Sequence, residues 1–421
     1  MDSSEMYEVK DLKLAEQGAK NLELAELRMG ALLEVRKRFA KELPLKGIRV
    51  GMALHVTKET GILVRTLIAG GADVAITGCN PLSTQDDVAA ALAKEGVKVW
   101  AYKGETNEDY YRYLGNVIAF MPHVTIDDGC DLVSEIHKKH ADMIPEIIGG
   151  CEETTTGIIR LHAMQKDGAL KYPVVAVNDN KTKHLLDNYY GTGQSTLDGI
   201  MRASNILFAG KNVVVCGYGS CGKGVSLKAK GLGANVIVCE VDAFRALQAA
   251  MDGHRVMPIK AAAREGDIFI TLTGDKNVID LEHLKLMKDG VLVANSGHFD
   301  AEINVKALKE AASSERRMRP FLDEFVLDGK RILLAGEGRL INLAAAEGHP
   351  SEVMSTSFCG QALAVEHLVK NRSSLKGVQV VQLPAALDDE IARLQLTAMG
   401  ISFDKLTAEQ KKYLASWEEG T

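Results

Sequence analysis

Apolar residues recur along this chain with two periods. From 12 to 40 leucine and alanine return at helical spacing through NLELAELRMGALLEVRKRFA with charges between them, which predicts a helix. From Gly47 onward short apolar runs alternate with amphipathic ones. IRVGMAL predicts a strand leading to His55, VTKETGILVRTLIAGGA a helix capped by Thr57, DVAIT a strand, STQDDVAAALAKEG a helix, and VKVWAY a strand. HVTIDDGCD reads as strand and loop. PEIIGGCEETTTGIIRLHAM reads as a loop and then a helix with Glu153, Thr154, Thr155 and Thr156 at its start, and PVVAVND ends this part. Such alternation predicts a mostly parallel sheet covered on both faces, with the polar residues after its strands gathered on one rim.

A helical connector, NKTKHLLDNYYGTGQSTLDGIMRASNILFAGK, leads into VVVCGYGSCGKG. There a β-branched run meets Gly217, and Gly219 and Gly222 complete G-x-G-x-x-G, with Ser220 between them. A strand turning sharply into a helix needs glycine at the turn, at the pyrophosphate contact and at the helix–sheet contact, and the helix N-terminus then faces the phosphates. NVIVC reads as the next strand, with Glu240 at its end, where a carboxylate binds ribose hydroxyls and disfavours a 2′-phosphate. The cofactor expected is NAD rather than NADP. DIFITLTGDKNVI and GVLVANSGHFD each predict a strand and a polar loop, the first carrying Thr271, Thr273 and Gly274 and the second Asn295 and Gly297. After the charged segment ASSERRMRP come two short strands around DEFVLDGKRILLAGEGR and a polar loop, GEGRLINL. HPSEVMSTSF and the apolar helix GQALAVEHLV return to the first unit, and further helices are predicted over 384–398 and 407–415.

The fold class expected is therefore α/β. Two Rossmann-like domains have mostly parallel sheets, with a discontinuous substrate domain (1–185 and 349–385), an inserted NAD-binding domain (186–348) and a short C-terminal helical segment (386–421). A chain of 421 residues exceeds the size at which one core stops growing, in agreement with two domains. With 50 basic against 56 acidic residues and a formal charge of -6, nothing electrostatic argues for nucleic acid or an anionic membrane as partner. Seven cysteines form no C-x-x-C pair and read as reduced thiols. No signal sequence or apolar run of transmembrane length is present, so a soluble cytoplasmic protein is expected. The cysteine–histidine clusters of a metal site are absent from the linear pattern, and no catalytic metal is expected.

Several separated motifs have one thing in common. LHVTKET (54–60), CNPLSTQD (79–86), DDGCD (127–131), EETTTG (152–157), VNDNKTKHLLDN (177–188), NSGHFD (295–300), EGRLINL (337–343) and GHPSEVMSTSF (348–358) together resemble the S-adenosylhomocysteine hydrolases over nearly the whole chain. The resemblance implies an NAD-dependent hydrolase of S-adenosylhomocysteine, generally homotetrameric, whose substrate and cofactor domains close on a hinge. A 5′-thioether has no acidic neighbouring proton. Transient oxidation at the 3′-hydroxyl acidifies C4′, homocysteine leaves by β-elimination, water adds, and the retained hydride restores adenosine with no second redox substrate.

By the same resemblance Lys183 is the proton acceptor at the 3′-hydroxyl, which calls for a lowered pKa, with Asp187 and Asn188 orienting it. Asp131 is the candidate for proton transfer at C4′ or C5′, with His55 and His298 facing the cleft. Glu153 accepts from ribose hydroxyls, and the threonines after it either cap a helix or contact the nicotinamide side. Thr57 and Glu59 meet the adenine or its sugar, while His349, Met354 and Phe358 close over the base. Glu240 takes the adenosine ribose, Asn295 and Asn342 the nicotinamide carboxamide, and the loop Thr271–Gly274 lies against the cofactor. A monovalent cation around Glu347–Pro350 is consistent with the family.

This chain departs from the family pattern at several positions. Thr192 stands where many members have cysteine. Arg245 stands where asparagine often holds the NAD ribose, and pairing with Glu240 there weakens discrimination against a 2′-phosphate. Glu347 stands where methionine is common, close to the purine. The sequence ends at SWEEGT, without the basic and aromatic tail that in many members reaches a neighbour's cofactor, so that contact is expected to be missing or made differently. S-inosylhomocysteine as substrate is the nearest alternative, since a carboxylate accepts equally from the adenine amino group or from inosine N1–H. An ordinary NAD-dependent alcohol dehydrogenase and a non-catalytic NAD-binding regulator are further alternatives.

Overall fold

Two eight-stranded sheets organise the computed structural model, which describes residues 6–375, 377 and 379–417. The first is built from β1 (Tyr7–Val9), β2 (Arg49–Ala53), β3 (Asp73–Thr77), β4 (Lys98–Ala101), β5 (Val124–Asp127), β6 (Gly149–Glu152) and β7 (Val174–Ala176). The chain then leaves it for β8 (Asn212–Cys216), β9 (Asn235–Cys239), β10 (Arg255–Val256), β11 (Ile268–Thr271), β12 (Val291–Asn295), β13 (Ser314–Arg319), β14 (Leu322–Leu327) and β15 (Lys330–Ala335). It returns with β16 (Val380–Val381), where Val380 pairs with Val174. The first sheet, β1-β4-β3-β2-β5-β6-β7-β16, is parallel throughout. The second, β10-β9-β8-β11-β12-β15-β14-β13, is parallel except where β13, β14 and β15 run antiparallel. The discontinuous first unit with an inserted second one is thus the observed topology. Apolar clusters cover both faces of each sheet, as buried parallel strands require.

Three segments differ from the sequence expectation. The single helix over 12–40 is two, Ala15–Glu26 and Gly30–Glu42, which both touch the helix Lys58–Ala69 but otherwise pack chiefly on Asp86–Lys94 and on Ser351–Lys370 respectively. A Cβ on Gly18 would lie 1.9 Å from the Asp87 carbonyl oxygen, and one on Gly30 would lie 2.6 Å from Ala398 Cβ. The stretch before Glu153, read as loop, contains β6. Its glycine pair permits close packing, since a Cβ on Gly150 would stand 2.6 Å from Thr125 Oγ1 and one on Gly149 2.7 Å from Leu368 Cδ2. The charged segment near 314 is the exposed edge strand β13, held by cross-strand ion pairs such as Arg316–Glu324 at 2.6 Å. Charge on an edge strand discourages pairing with another chain.

The C-terminal helix Ala385–Ala398 joins the first unit's core through Ile391, and Ala408–Leu414 buries no residue. All seven cysteines are free. Among the described residues no helix is long and apolar enough to cross a membrane.

Candidate active site

The strand ends of both sheets open onto one cavity of about 1270 Å³. From the first sheet it takes His55, Thr57 and Glu59 after β2, Asp128 after β5, Glu153 to Thr156 after β6, and Lys183, Asp187 and Asn188 after β7. Thr57 caps the helix Lys58–Ala69, its Oγ1 accepting from the Thr60 N–H, which fixes Glu59 in the first turn. Ser351 Oγ donates to Glu59 Oε1 at 2.6 Å.

Lys183 is buried among carboxyl and amide oxygens. Its Nζ lies 3.0 Å from Asp187 Oδ2, 2.7 Å from Asn188 Oδ1, 3.4 Å from Asn178 Oδ1 and 3.8 Å from Glu153 Oε1. A turn of π-helix at Asp187–Gly191 begins with Asp187 and Asn188, both within hydrogen-bond reach of the ammonium. Burial favours the neutral amine, but Asp187, Glu153 and Asp128 outweigh it and hold the pKa above the ordinary lysine value. The lowered lysine pKa expected from the sequence is therefore not found. Burial alone would raise Asp187, yet Lys183 and His349 hold it well below the usual carboxylate range. Glu153 takes the opposite course, pushed up to about 7 by burial despite Lys183. Ser357 Oγ and Gln361 Nε2 donate to its two oxygens. His349 Nδ1 meets Asp187 Oδ1, and its Nε2 lies 3.1 Å from Thr192 Oγ1, so Thr192 takes a polar role at the cysteine position. Met354 and Phe358 complete this wall.

The carboxylates of the DDGCD segment differ from the sequence reading in where they point. Asp131 is outside the cavity. It opens the helix Asp131–Lys139 and is bound by Arg160 Nη1 at 2.7 Å and Tyr110 OH at 2.9 Å. The carboxylate that faces the cavity is Asp128, the residue directly after β5, with Oδ2 3.5 Å from His55 Nε2 and Oδ1 3.6 Å from His298 Nδ1. Ligating atoms of these three side chains lie within 4.8 Å of one another, a grouping that linear spacing does not reveal. Burial pushes His55 down to about 4, against the pull of Asp128. Ser83 Oγ and Cys79 Sγ lie 2.7 and 3.2 Å from its Nδ1.

His298 comes from the second sheet, and it reaches Asp128 only because Gly129 has no side chain. A Cβ there would stand 2.3 Å from His298 Nε2, and Gly129 has φ +108°. Gly129→Ala is expected to destabilise the fold by about 1–3 kcal/mol through the left-handed backbone and to slow turnover as well. Thermal unfolding and kcat measured together check this, since backbone strain alone would leave the kcat of the folded fraction intact.

On the second sheet the glycine loop has the form expected of a dinucleotide cradle. Gly217 has φ +100°, and a Cβ on Gly222 would lie 2.0 Å from the Gly217 carbonyl oxygen. Gly219 is open to the cavity, and Ser220 begins the helix Ser220–Gly231. Glu240 is held at the end of β9 by the N–H groups of Tyr218, Val241 and Asp242 at 2.6, 2.7 and 3.0 Å. Arg245 forms no ion pair with it; its Nη1 lies 3.8 Å from where a Cβ on Gly219 would be. Asn342 fits a carboxamide: Nδ2 is 3.2 Å from Ser195 Oγ, and its buried Oδ1 has no partner.

Asn295 and Thr271 are corrections. Neither lines the cavity; Thr271 Oγ1 donates to Asn295 Oδ1 at 2.9 Å, and Asn295 Nδ2 is taken by the carbonyls of Gly297, Phe299 and Gly338. Their role is to brace the loops after β11 and β12. Glu302, not anticipated from sequence, does the same, accepting from Thr273 N and Oγ1 and from Gly274 N. Gly297, Thr273 and Gly274 do line the cavity, and Thr156 Oγ1 approaches Gly274 across it. Thr154 stands at the start of the helix Thr155–Lys166 without capping it through its side chain, and Thr155 Oγ1 accepts from Asn178 Nδ2.

Residues 6–144 match the family model "S-adenosyl-L-homocysteine hydrolase" and residues 188–348 match its "NAD binding domain". The chain belongs to the S-adenosyl-L-homocysteine hydrolase family. It is 56% identical over 416 residues to an S-inosyl-L-homocysteine hydrolase of Methanocaldococcus jannaschii, covering 99% of this chain and 100% of that one. An adenosylhomocysteinase of Sulfolobus acidocaldarius gives the same identity and coverage. One from Aquifex aeolicus is 55% identical over 417 residues, again 99% and 100%. Membership makes this protein an NAD-dependent hydrolase of the family type. The dehydrogenase and regulator readings fall away. The donor set fits NAD: a glycine loop before a helix N-terminus, a carboxylate fixed at the end of the next strand (Glu240) and an unmatched amide oxygen at Asn342.

Proposed function

We propose that this protein hydrolyses S-adenosyl-L-homocysteine to adenosine and homocysteine reversibly, with the residues of the shared cavity in defined roles. The observation that carries the reading is the meeting in one cavity of the Lys183 cluster, the Asp128 pair of histidines and a dinucleotide cradle. When bound, NAD supplies the transient 3′-oxidation that acidifies C4′ and the hydride that reverses it. Gly217, Gly219 and Ser220 hold its pyrophosphate, Glu240 its adenosine ribose and Asn342 its carboxamide.

Lys183 and Glu153 act on the 3′-hydroxyl as a pair. Lys183 rests as an ammonium, and Glu153, 3.8 Å away with a pKa near 7, is the neighbour able to receive its proton. The pair therefore accepts one proton when the hydroxyl is oxidised and returns it at the end. Asp187 and Asn188 keep Nζ in place. Asp128 takes the C4′ proton, and His55 and His298 serve the leaving thiolate and the incoming water at C5′.

S-inosyl-L-homocysteine is the second reading, supported by the similarity to the Methanocaldococcus enzyme. Glu347 does not decide between the two purines. Its carboxylate lies outside the cavity, 2.8 Å from Lys58 Nζ and 3.3 Å from Arg202 Nη1. Glu59, in the cavity wall, is the carboxylate placed to read the purine edge. Glu347→Met is expected to change the ratio of kcat/KM for the two thioethers by less than about 3-fold, while Glu59→Gln shifts it further. A discrimination change at Glu347 larger than at Glu59 would reverse the assignment.

A homotetramer is the assembly we propose. It is supported by the exposed apolar row Phe244, Leu247 and Met251 on the helix Ala243–Met251, a surface that a second copy would cover. Light scattering tests it. The seven free thiols support a cytoplasmic setting.

A further inference from the structure

A lysine carried by the first sheet spends its charge on the second unit. Lys103 follows β4, where its backbone N–H donates to Asp86 Oδ1 at 2.7 Å and the N–H of the next residue, Gly104, donates to the Pro81 carbonyl at 2.8 Å. From this anchored turn the half-buried side chain crosses to the other unit. Its Nζ donates to the carbonyls of Ala344 and Leu343 at 2.6 and 3.3 Å, and it lies 4.8 Å from the centre of the Phe321 ring. Among the described residues no carboxylate forms an ion pair with it. Burial holds its pKa below the ordinary lysine value, with Asp86 pulling the other way.

The ammonium meets the end of the short helix Ile341–Ala344. A helix end leaves carbonyls without an intrahelical partner, and their partial negative charge favours a cation. The Ile341 carbonyl accepts from the Ala345 N–H at 3.0 Å, and the Asn342 carbonyl from the Gly348 N–H at 2.9 Å. Those of Leu343 and Ala344 have only Lys103 among the described residues. Asn342 belongs to this same turn. Its Nδ2 is tied to Ser195 Oγ, and its buried, unpartnered Oδ1 is the atom left for a ligand in the cavity.

We propose, on the role given to Asn342 above, that Lys103 is a positioning residue for Asn342, fixing from the first unit the turn that presents the amide oxygen to the nicotinamide carboxamide. Gly217, Gly219 and Glu240, which hold the other end of NAD, all belong to the second sheet. Loss of Lys103 is therefore felt at the nicotinamide end alone.

Calorimetry on the full-length protein freed of nucleotide tests this, with NAD and with ADP-ribose, which has the pyrophosphate and adenosine but no nicotinamide. Lys103→Met is expected to raise the Kd for NAD about 10-fold, the loss of one well-placed hydrogen bond, and the Kd for ADP-ribose by less than about 2-fold. Lys103→Arg, which keeps a cation facing the carbonyls, should recover most of the NAD affinity. A merely structural loss would weaken both ligands alike. That result, an unchanged NAD Kd, or Lys103→Arg as weak as Lys103→Met overturns the proposal. Asn342→Ala should show the same selectivity, and Lys103→Met should add nothing to it in the double variant; additive effects overturn the coupling. A normal NAD Kd in Asn342→Ala would instead overturn the role of Asn342, and the proposal with it. Should Lys103→Met not fold, Phe321→Leu, which removes the ring beside the ammonium, is expected to raise the NAD Kd about 3-fold with ADP-ribose unaffected; equal changes, or none, overturn the proposal. No thioether enters these measurements, so failure of the hydrolase reading leaves their outcome untouched.

Discussion

Replacing Asp128 by asparagine is expected to lower kcat by about 10²–10⁴-fold, the range for loss of a positioned acid–base group, while Asp131→Asn lowers it by less than about 10-fold. The two carboxylates are three positions apart in the same DDGCD segment, yet their surroundings assign them different tasks. Asp128 leaves β5 directly into the cavity between His55 and His298. Asp131 is turned back into the protein by the helix it begins, and its charge is spent on Arg160 and Tyr110. Asp131→Asn should therefore show in thermal stability rather than in turnover. Steady-state kinetics on both variants, with thiol release as the readout, separate the assignments. The reverse order, with Asp131→Asn the more damaging to kcat, would restore the reading taken from the motif alone.

The second large effect is expected from Lys183→Met, which keeps the apolar stem and removes the ammonium. Oxidation at the 3′ position should fall by about 10²–10⁴-fold, seen as the absence of protein-bound NADH absorbance after substrate is added, with NAD content unchanged. Stability should fall too, because Asp187 and Glu153 lose their buried cation, a loss on the order of 3 kcal/mol when one partner of a buried pair is removed. That loss depends on pH with a definite sign. Glu153 already has a raised pKa of about 7, and removing Lys183 raises it further. A carboxyl whose folded pKa is raised contributes stability that is lost as pH rises through that pKa. The difference between wild type and variant should accordingly widen from pH 7 to pH 9, as denaturant midpoints at both values would show. A constant difference would mean that Glu153 does not feel Lys183.

Much of this arrangement was legible in the sequence, for reasons that particular residues make plain. The β-branched run before Gly217 and the strand NVIVC before Glu240 predicted β8, β9 and the cradle between them, because a parallel core strand leaves a nearly continuous apolar signal. Lys183 lies near the end of one short helix and Asp187 and Asn188 open the π-helical turn just after it, so the four-residue spacing of Lys183 and Asp187 still carried their proximity. Asp128 was missed because four polar or small residues in a row give no periodicity, and only the fold shows which carboxylate faces His298. Asn295 was misread for a related reason. Its position at the end of β12 suits a ligand, but its amide is taken by two carbonyls of its own loop, Gly297 and Phe299, and by that of Gly338 after β15, and the last of these contacts is long-range. β6 escaped because its glycines signal a turn locally, whereas packing against Thr125 and Leu368 makes them strand residues. The pKa of Lys183 likewise depends on Glu153 and Asp128, brought to it by other strands.

Hydrolysis by this protein depends on a cofactor that is reduced and reoxidised within a single turnover. The most direct test is purified, NAD-loaded protein mixed with S-adenosyl-L-homocysteine and, in parallel, S-inosyl-L-homocysteine, following free thiol and the absorbance of NADH together. Thiol release over many turnovers without net accumulation of NADH, from S-adenosyl-L-homocysteine at the higher kcat/KM, is the result predicted. Stoichiometric release of free NADH, or no thiol from either thioether, would contradict it.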